Sequence, residues 1–314
     1  MTKINPTLSI IIVSYNTSKL TLKCLFSILS DKGLTLNLQK IENSSKIPSE
    51  IIIVDNNSSD DTVKSIKKLI LDKPYLKDSL TLILNKKNSG FGAANNQGIK
   101  IAKGNYLLFL NSDTEILHSA ISQTLNWLSS HPESSLATAQ LLNTNHTIQA
   151  SGGYFPNLLN LFTWSTSLDD LPLVNKLIPA IHPHTPDFYT KETTYLYDHS
   201  QDWLTGAFLM ARKNIIDAVN GFNTKYFMYG EELELCFRIK QKFPHTQFWY
   251  LIGPQIIHHG RGSAKTHTSH IKAEYEGILT FFKIHRPSWQ YPIAKILIKI
   301  NSITHNFISN FRPQ

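Results

Sequence analysis

The sequence predicts an α/β fold: an open, Rossmann-like, mostly parallel sheet with helices on both faces. Three observations predict it. Short β-branched runs alternate with stretches of helical period, polar turn residues follow the runs at once, and the runs are apolar throughout, as strands buried on both sides read.

Leu8–Ser14 (LSIIIVS) is the first such run and residues 50–55 (EIIIVD) the second. After the first, Leu20, Leu22, Leu25, Phe26 and Leu29 mark one face of a helix. After the second, Val63, Ile66, Leu69 and Ile70 do the same, with lysines opposite. Leu80–Leu84 with a helix over about residues 92–102 makes a third unit, and residues 106–110 (YLLFL) a fourth strand before a helix at 118–129. Residues 31–49, rich in Asn, Ser and Lys, read as a surface insertion. From 154 to 200 the composition turns to Pro, His, Thr and aromatics without period, which predicts a long, partly ordered loop on the acceptor side of the site. Pattern resumes over 202–211, with a helix ending before Gly221, another at about 231–240, a strand near 247–251 and a helix over 269–285. The tail places Ile293, Ile296, Leu297, Ile300, Ile303, Phe307 and Phe311 on one helical face, suited first to core packing and second to a membrane surface. The expected division is a domain over 1–265 and C-terminal helices over 266–314.

With 41% hydrophobic residues, the chain carries enough apolar surface to offset the entropy of folding, so global disorder is excluded. The net charge of +8 suits an anionic ligand or a phospholipid face. No stripe of Lys and Arg interleaved with aromatics runs along one element, so nucleic acid is not an expected partner. Cys24 and Cys236 lie far apart inside amphipathic segments, which fits a reducing cytosol rather than a disulfide framework. The start lacks a signal peptide's basic and apolar regions, and no run reaches about 18 apolar residues. A cytoplasmic location is expected, with any membrane contact peripheral, at the inner face of the plasma membrane and through the C-terminal helix.

Ligands of such sheets bind at the C-terminal ends of the strands. Here those ends carry Ser14, Tyr15 and Asn16, then residues 55–57, 85–88 and Asn111-Ser112-Asp113. An isolated Asp after a strand is usually a turn former or N-cap. Asp55 and Asp113, however, end two strands of one inferred sheet, and His258-His259 ends another apolar run, QIIHH. Carboxylate with imidazole suits Mn²⁺, and carboxylate with water suits Mg²⁺, so this cluster would hold a diphosphate-bound cation. Glu234 and Arg238 are spaced as a structural ion pair on a helix. Glu231 and Glu232 fall at that helix's start, where the dipole favours carboxylates even without function; alternatively one of them is a general base. The glycines of residues 88–98 have the wrong spacing for a dinucleotide loop, and no phosphate-binding GxxxxGK[ST] loop, Cys-x-x-Cys pair or G-x-S-x-G elbow exists.

Taken in order, SIIIVSYN, IIIVDNNSSDDT, NSGFGAANNQGI, GNYLLFLNSDTEI, DWLTGAFLMARK, GFNTKYFMYGEELELCFR and IIHHGRGS resemble glycosyltransferase family 2, within it the bacterial rhamnosyltransferase-like branch, over about residues 8–263. The resemblance implies a GT-A fold and inverting transfer of a hexose or rhamnose from a dTDP- or UDP-sugar to a saccharide or lipid-linked acceptor, in cell-surface polysaccharide or glycolipid assembly. It places Ser14, Tyr15, Asn16, Asp55, Asn88, Gly90, Phe91, Asn96, Asn111 and Ser112 on the donor. Asp113 matches the last acid of the family's D-x-D-type motif and His258 a second ligand of Mn²⁺ or Mg²⁺, though sequence does not separate it from His259. Glu231-Glu232 aligns with the family's Glu-Asp pair, so Glu232 stands where the catalytic Asp is expected, one methylene longer, with Glu231 as its rival. The alternatives are another donor sugar such as galactofuranose, a non-catalytic nucleotide-sugar-binding protein, or a nucleotidyltransferase on a similar sheet.

Overall fold

The computed structural model describes residues 5–38, 45–186, 188, 193–260 and 267–309. In chain order the elements are β1 (Leu8–Ser14), α1 (Ser18–Leu29), β2 (Leu34–Thr35), β3 (Ile47–Asp55), α2 (Thr62–Asp72), β4 (Leu80–Leu84), α3 (Phe91–Ile101), β5 (Tyr106–Asn111), β6 (Thr114–Ile116) and α4 (Ala120–Ser130). Then follow β7 (Ser134–Leu142), β8 (Ile148–Gln149), α5 (Leu158–Thr166), α6 (Pro172–Leu177), β9 (His199–Ser200), β10 (Phe208–Arg212), α7 (Lys213–Ala218), α8 (Glu231–Lys242), β11 (Gln247–His258), α9 (His267–His285) and α10 (Gln290–Ser309).

The strands form one mostly parallel sheet. β4, β3, β1 and β5 are parallel neighbours, Ile11 of β1 standing opposite Ile52 of β3 and Phe109 of β5. β10 then enters antiparallel between β5 and β7, and β11 runs parallel to β7. Alternation along each strand divides the core in two. Leu8, Ile10 and Ile12 pack with Cys24, Leu25 and Ile28 of α1, Ile66 of α2 and Leu125 of α4. Ile11 packs on the other face, in the cluster that holds Ala94 of α3, Leu235 of α8, Phe281 of α9 and Leu297 of α10. The crossover helices form because their apolar residues recur on one face. In α2, for example, Ile66 and Leu69 are buried while the intervening lysines face water. Gly98 lets α3 lie directly on β1, since a Cβ there would stand 2.5 Å from Ile11.

The structure departs from the sequence reading at four places. Part of the stretch read as a surface insertion belongs to the core: Leu34, Leu36 and Leu38 are buried, β2 pairs with β3, and β3 begins at Ile47. The segment read as a loop contains α5 and α6, and α5 starts at a capping box in which Asn157 and Asn160 satisfy each other's backbone N–H groups. β11 continues through residues 252–258 by a register shift between Leu251 and Gln255, so the QIIHH run extends one strand rather than making another. On α10 the buried face is Ala294, Leu297, Ile298 and Asn301, whereas Ile293, Ile296 and Ile303 are exposed. The expected domain boundary at 265/266, and Phe311 of the tail, lie outside the described residues.

Candidate active site

The C-terminal ends of β1, β3 and β5 open on a cleft with about 960 Å³ of solvent-open space. Tyr15, Asn88, Phe91, Asn111, Ser112 and Asp113 line one side, His258 stands above them, and Glu231 and Glu232 close the other side. Nine of the residues singled out in the sequence therefore meet around one space. Their convergence follows from topology: parallel strands deliver their ends to one rim, while α8 brings its N-terminus to the same place.

The remaining sequence candidates lie behind this surface. Ser14 is fully buried, its hydroxyl sharing hydrogen bonds with Thr17 and Thr21. Asn16 holds the loop after β1 to the loop after β3, its side chain accepting from the Ser59 N–H at 2.7 Å. Asp55 accepts from the Ser58 N–H at 3.0 Å through one carboxylate oxygen, and its other oxygen is buried without a partner. Asn96 clasps the Phe222 backbone through both its N–H and its carbonyl, away from the cleft. Gly90 adopts φ +86°, and a Cβ would collide with the Phe227 carbonyl, so it shapes the start of α3.

Two histidines adjacent in sequence point to different partners. The Nε2 of His258 lies 3.4 Å from Oδ1 of Asp113 and 3.4 Å from the Asn111 amide nitrogen. The Nε2 of His259 instead meets Glu115 at 2.5 Å, and Glu115 also pairs with Lys23 at 3.3 Å. His258 is thus the one on the cleft. A carboxylate oxygen and an imidazole nitrogen at this separation are both within reach of one divalent cation with bonds of about 2.0–2.2 Å. Among the described residues no three His, Cys, Asp or Glu side chains gather around a point. A cation on Asp113 and His258 would therefore complete its shell with ligand oxygens and water.

Glu231 and Glu232 open α8 after Gly230, which sits at φ +88°. Each has one carboxylate oxygen buried without a partner. Burial first, then the neighbouring Glu232 charge, holds the Glu231 carboxyl well above the ordinary range. Burial also raises Glu232, opposed by its own backbone N–H, that of Gly206 and the charge of His182. Two carboxyls with raised proton affinity at a cleft are the usual setting of acid–base chemistry. Glu234, two residues on, is different: fully buried, it pairs with Arg238 at 2.8 Å and His285 at 3.1 Å and accepts from Asn223 at 3.0 Å. It is the structural pair the spacing implied.

Sequence reasoning missed the other wall. Thr205, Gly206, Met228, Tyr229 and His270 line the cleft, and the Tyr229 hydroxyl is hydrogen-bonded to His270. Burial, then the charge of Glu232, pushes the Tyr229 phenol up to about 12. Behind it His182 meets Glu274 at 2.8 Å; burial works to lower the His182 pKa, but Glu274, Glu232 and Asp169 together outweigh it and the net shift is upward. Gln149 was also missed, and its Oε1 lies 2.6 Å from Nδ1 of His258. Thr205, Gly206, Met228 and Tyr229 lie inside the segments DWLTGAFLMARK and GFNTKYFMYGEELELCFR, whereas Gln149, His182 and His270 lie in none of the segments that carry the resemblance.

Residues 9–164 match the model of glycosyl transferase family 2. Chondroitin synthase of Escherichia coli is 28% identical over 155 residues, which are 49% of this chain and 19% of that protein. The N-acetylglucosaminyl-diphospho-decaprenol L-rhamnosyltransferase of Mycobacterium tuberculosis is 19% identical over 269 residues, 80% of each chain. The chain thus spans a small part of the first relative and most of the second. Among solved structures, GalNAc-T7 with UDP, GalNAc and Mn²⁺ superposes with a TM-score of 0.60 at 13% identity, covering 91% of this chain and 49% of that one. Mannosyltransferase PcManGT from Pyrobaculum calidifontis, with GDP-Man and Mn²⁺, gives a TM-score of 0.58 at 13% identity, covering 99% and 77%. These likenesses show the fold, the GT-A fold.

Proposed function

Since residues 9–164 belong to glycosyl transferase family 2, we propose that the chain transfers a sugar from a nucleoside-diphosphate sugar to an acceptor hydroxyl, with inversion at the anomeric carbon. The observation that carries this reading is the meeting of a carboxylate and an imidazole, Asp113 and His258, with a carboxylate of raised proton affinity, Glu232, around one cleft. Glu232 takes the proton of the acceptor hydroxyl. The freed oxygen attacks the anomeric carbon opposite the diphosphate, which leaves with the bonding electron pair; one displacement of this kind inverts the centre. Asp113 and His258 would hold a divalent cation, Mn²⁺ or Mg²⁺, which would supply Lewis-acid charge compensation for the leaving diphosphate.

Rhamnose from a dTDP- or UDP-sugar is the donor we propose, in cell-surface polysaccharide or glycolipid assembly. Its support is the rhamnosyltransferase that matches 80% of the chain. The acceptor, a saccharide or lipid-linked one, would enter past Tyr229, His270 and the residues before β10. Among the described residues no helix is long and apolar enough to cross a membrane. Leu173 and Leu177 of α6, Leu159 and Phe162 of α5, and Ile296 and Ile303 of α10 are exposed apolar side chains, which we read as one apolar face. Lys176, Lys295 and Lys299 are exposed among them, and none of the three helices carries a carboxylate. We assign this face to an anionic bilayer, at the cytoplasmic side, where it would bring a lipid-linked acceptor to the cleft.

A screen of dTDP- and UDP-sugars against mixed acceptors, with Mn²⁺, Mg²⁺ or chelator, tests the reading through released nucleoside diphosphate. The anomeric configuration of the product is read by NMR. Release that is indifferent to chelator, or a product of retained configuration, would overturn the mechanism; release with no sugar acceptor modified would overturn the transfer.

A further inference from the structure

We propose that Gln149 is a positioning residue that fixes His258 as the tautomer protonated on Nδ1, leaving the Nε2 lone pair aimed toward Asp113. The assignment rests on one chain of hydrogen bonds with a single consistent direction. The Thr147 hydroxyl donates to Oδ1 of Asn145 at 2.8 Å, so its oxygen is available to accept. It accepts from the Asn143 amide nitrogen at 2.9 Å, which turns the Asn143 carbonyl oxygen toward Gln149. That oxygen accepts from the Gln149 amide nitrogen at 3.1 Å. The Gln149 carbonyl oxygen is thereby committed to His258 Nδ1, 2.6 Å away, and since it only accepts, Nδ1 must carry the hydrogen.

In the neutral ring, the form that the Asn111 amide donor beside Nε2 suits, the other face is then an acceptor. Its Nε2 stands 3.4 Å from the Asn111 amide, a donor, and 3.4 Å from the Asp113 carboxylate, a second acceptor. Two acceptors facing each other are best satisfied by a cation between them, and neutral imidazole with its second nitrogen hydrogen-bonded is the form that binds metal. The fold supplies the relay from the β7–β8 hairpin. Leu141 of β7 pairs with Gln149 of β8, and Leu142 of β7 with Ile257 of β11, so Gln149 and His258 flank the same strand.

The inference rests on the reading of Asp113 and His258 as a cation site, and its test separates the two. In ¹⁵N-labelled full-length protein without added metal, the His258 ring should show a protonated Nδ1 and a bare Nε2. Gln149→Leu, which keeps the bulk and removes the acceptor, should mix the tautomers and weaken Mn²⁺ binding by about 10- to 100-fold, the usual effect of losing a partner to a metal-binding histidine. Gln149→Glu, which still accepts, should keep the tautomer and bind Mn²⁺ near the wild-type level. Should Gln149→Leu fail to fold, Asn143→Ala reads the same relay by freeing the Gln149 amide to turn over. A wild-type protein that ignores Mn²⁺ yet shows Nδ1–H in His258, lost in Gln149→Leu, would defeat the cation reading and uphold this one. An unchanged tautomer in both Gln149→Leu and Asn143→Ala overturns it.

Discussion

His258 faces Asp113 across 3.4 Å because β11 and β6 pair antiparallel, with His258 opposite Thr114, the residue after the acid. The pairing also turns His259 the other way, onto Glu115. Side chains of successive strand residues point to opposite faces, so only one of two adjacent histidines can serve the cleft.

His258→Ala should therefore weaken Mn²⁺ binding and transfer by at least tenfold, whereas His259→Ala leaves both nearly unchanged and loses only the contact with Glu115. Asp113→Ala should abolish metal-dependent transfer with the fold retained. Titration with Mn²⁺, followed by paramagnetic resonance on all three variants beside circular dichroism, gives the comparison. Equal losses in the two histidine variants would mean that the cation does not sit where Asp113 and His258 meet.

Glu234 predicts a stability effect instead. Its carboxylate is fully buried, held by Arg238, His285 and Asn223, and these partners keep it charged despite burial. Arg238 in turn donates to the backbone carbonyls of Val219 and Gly221, closing the turn after α7. Glu234→Ala strands a guanidinium and should cost about 3–5 kcal/mol, the range for breaking a buried pair. Urea denaturation of the variant measures it; a loss within about 0.5 kcal/mol, the size of a surface substitution, would show that the pair does not hold α8.

Much of this was legible in the sequence, for reasons that particular residues make plain. LSIIIVS and EIIIVD could only be buried strands, and Asn111-Ser112-Asp113 after YLLFL had to emerge at the rim. Ser14 turned out differently because rim position does not fix direction, and Asn96, placed on the donor by resemblance alone, lies in mid-α3 and binds the Phe222 backbone. Tyr15 turns into the cleft, while Ser14 beside it turns inward to Thr17 and Thr21. Gln149 was invisible because a polar residue in a short hairpin carries no period, and its role exists only through β7 and β11. His182 and Glu274 belong to separate segments that only folding brings together. α5 was readable in principle: Asn157 and Asn160 bracket its first turn, but prolines and aromatics around it hid the periodicity.

The apolar face predicts selective adsorption. Leu177 and Ile303 are 73% and 62% exposed, with Lys176, Lys295 and Lys299 beside them. Vesicles containing phosphatidylglycerol should sediment the protein, and phosphatidylcholine alone should do so far less. A basic residue near an anionic surface is worth about 1 kcal/mol, so the double change Lys295→Ala and Lys299→Ala should weaken binding by about 30-fold. Leu177→Glu with Ile296→Glu should abolish it. Undiminished sedimentation of either variant removes the assignment, as would a concentration-dependent dimer in which this face is buried.

The two acids at the start of α8 divide their roles by exposure and by proton affinity. Glu231 is 3% exposed, so an acceptor hydroxyl meets Glu232 more readily. Both proton affinities are raised, so the active form, with Glu232 ionised, is populated only above the ordinary glutamate range of about 4.3. Transfer should accordingly fall on acidification at a higher pH than a free glutamate would give. Glu232→Gln keeps size and hydrogen-bonding shape but cannot take the proton, so donor binding survives while single-turnover transfer drops by about 10²–10⁴-fold. Glu231→Gln should leave most of the rate and the acid limb of the profile in place, because Glu231 holds its proton more tightly and is neutral where Glu232 ionises. Its effect is on stability. A carboxyl whose folded pKa is raised binds its proton more tightly in the folded state; that contribution is complete below the unfolded value and is lost as pH rises through the folded one. Glu231→Gln cancels the loss, so the variant should gain thermal stability over the wild type as pH rises above the ordinary glutamate range of about 4.3, and show no such gain below it. Should Glu231→Gln collapse the rate while Glu232→Gln turns over normally, the base is Glu231; normal rates in both would leave the cleft without a base among these two acids and end the proposed displacement.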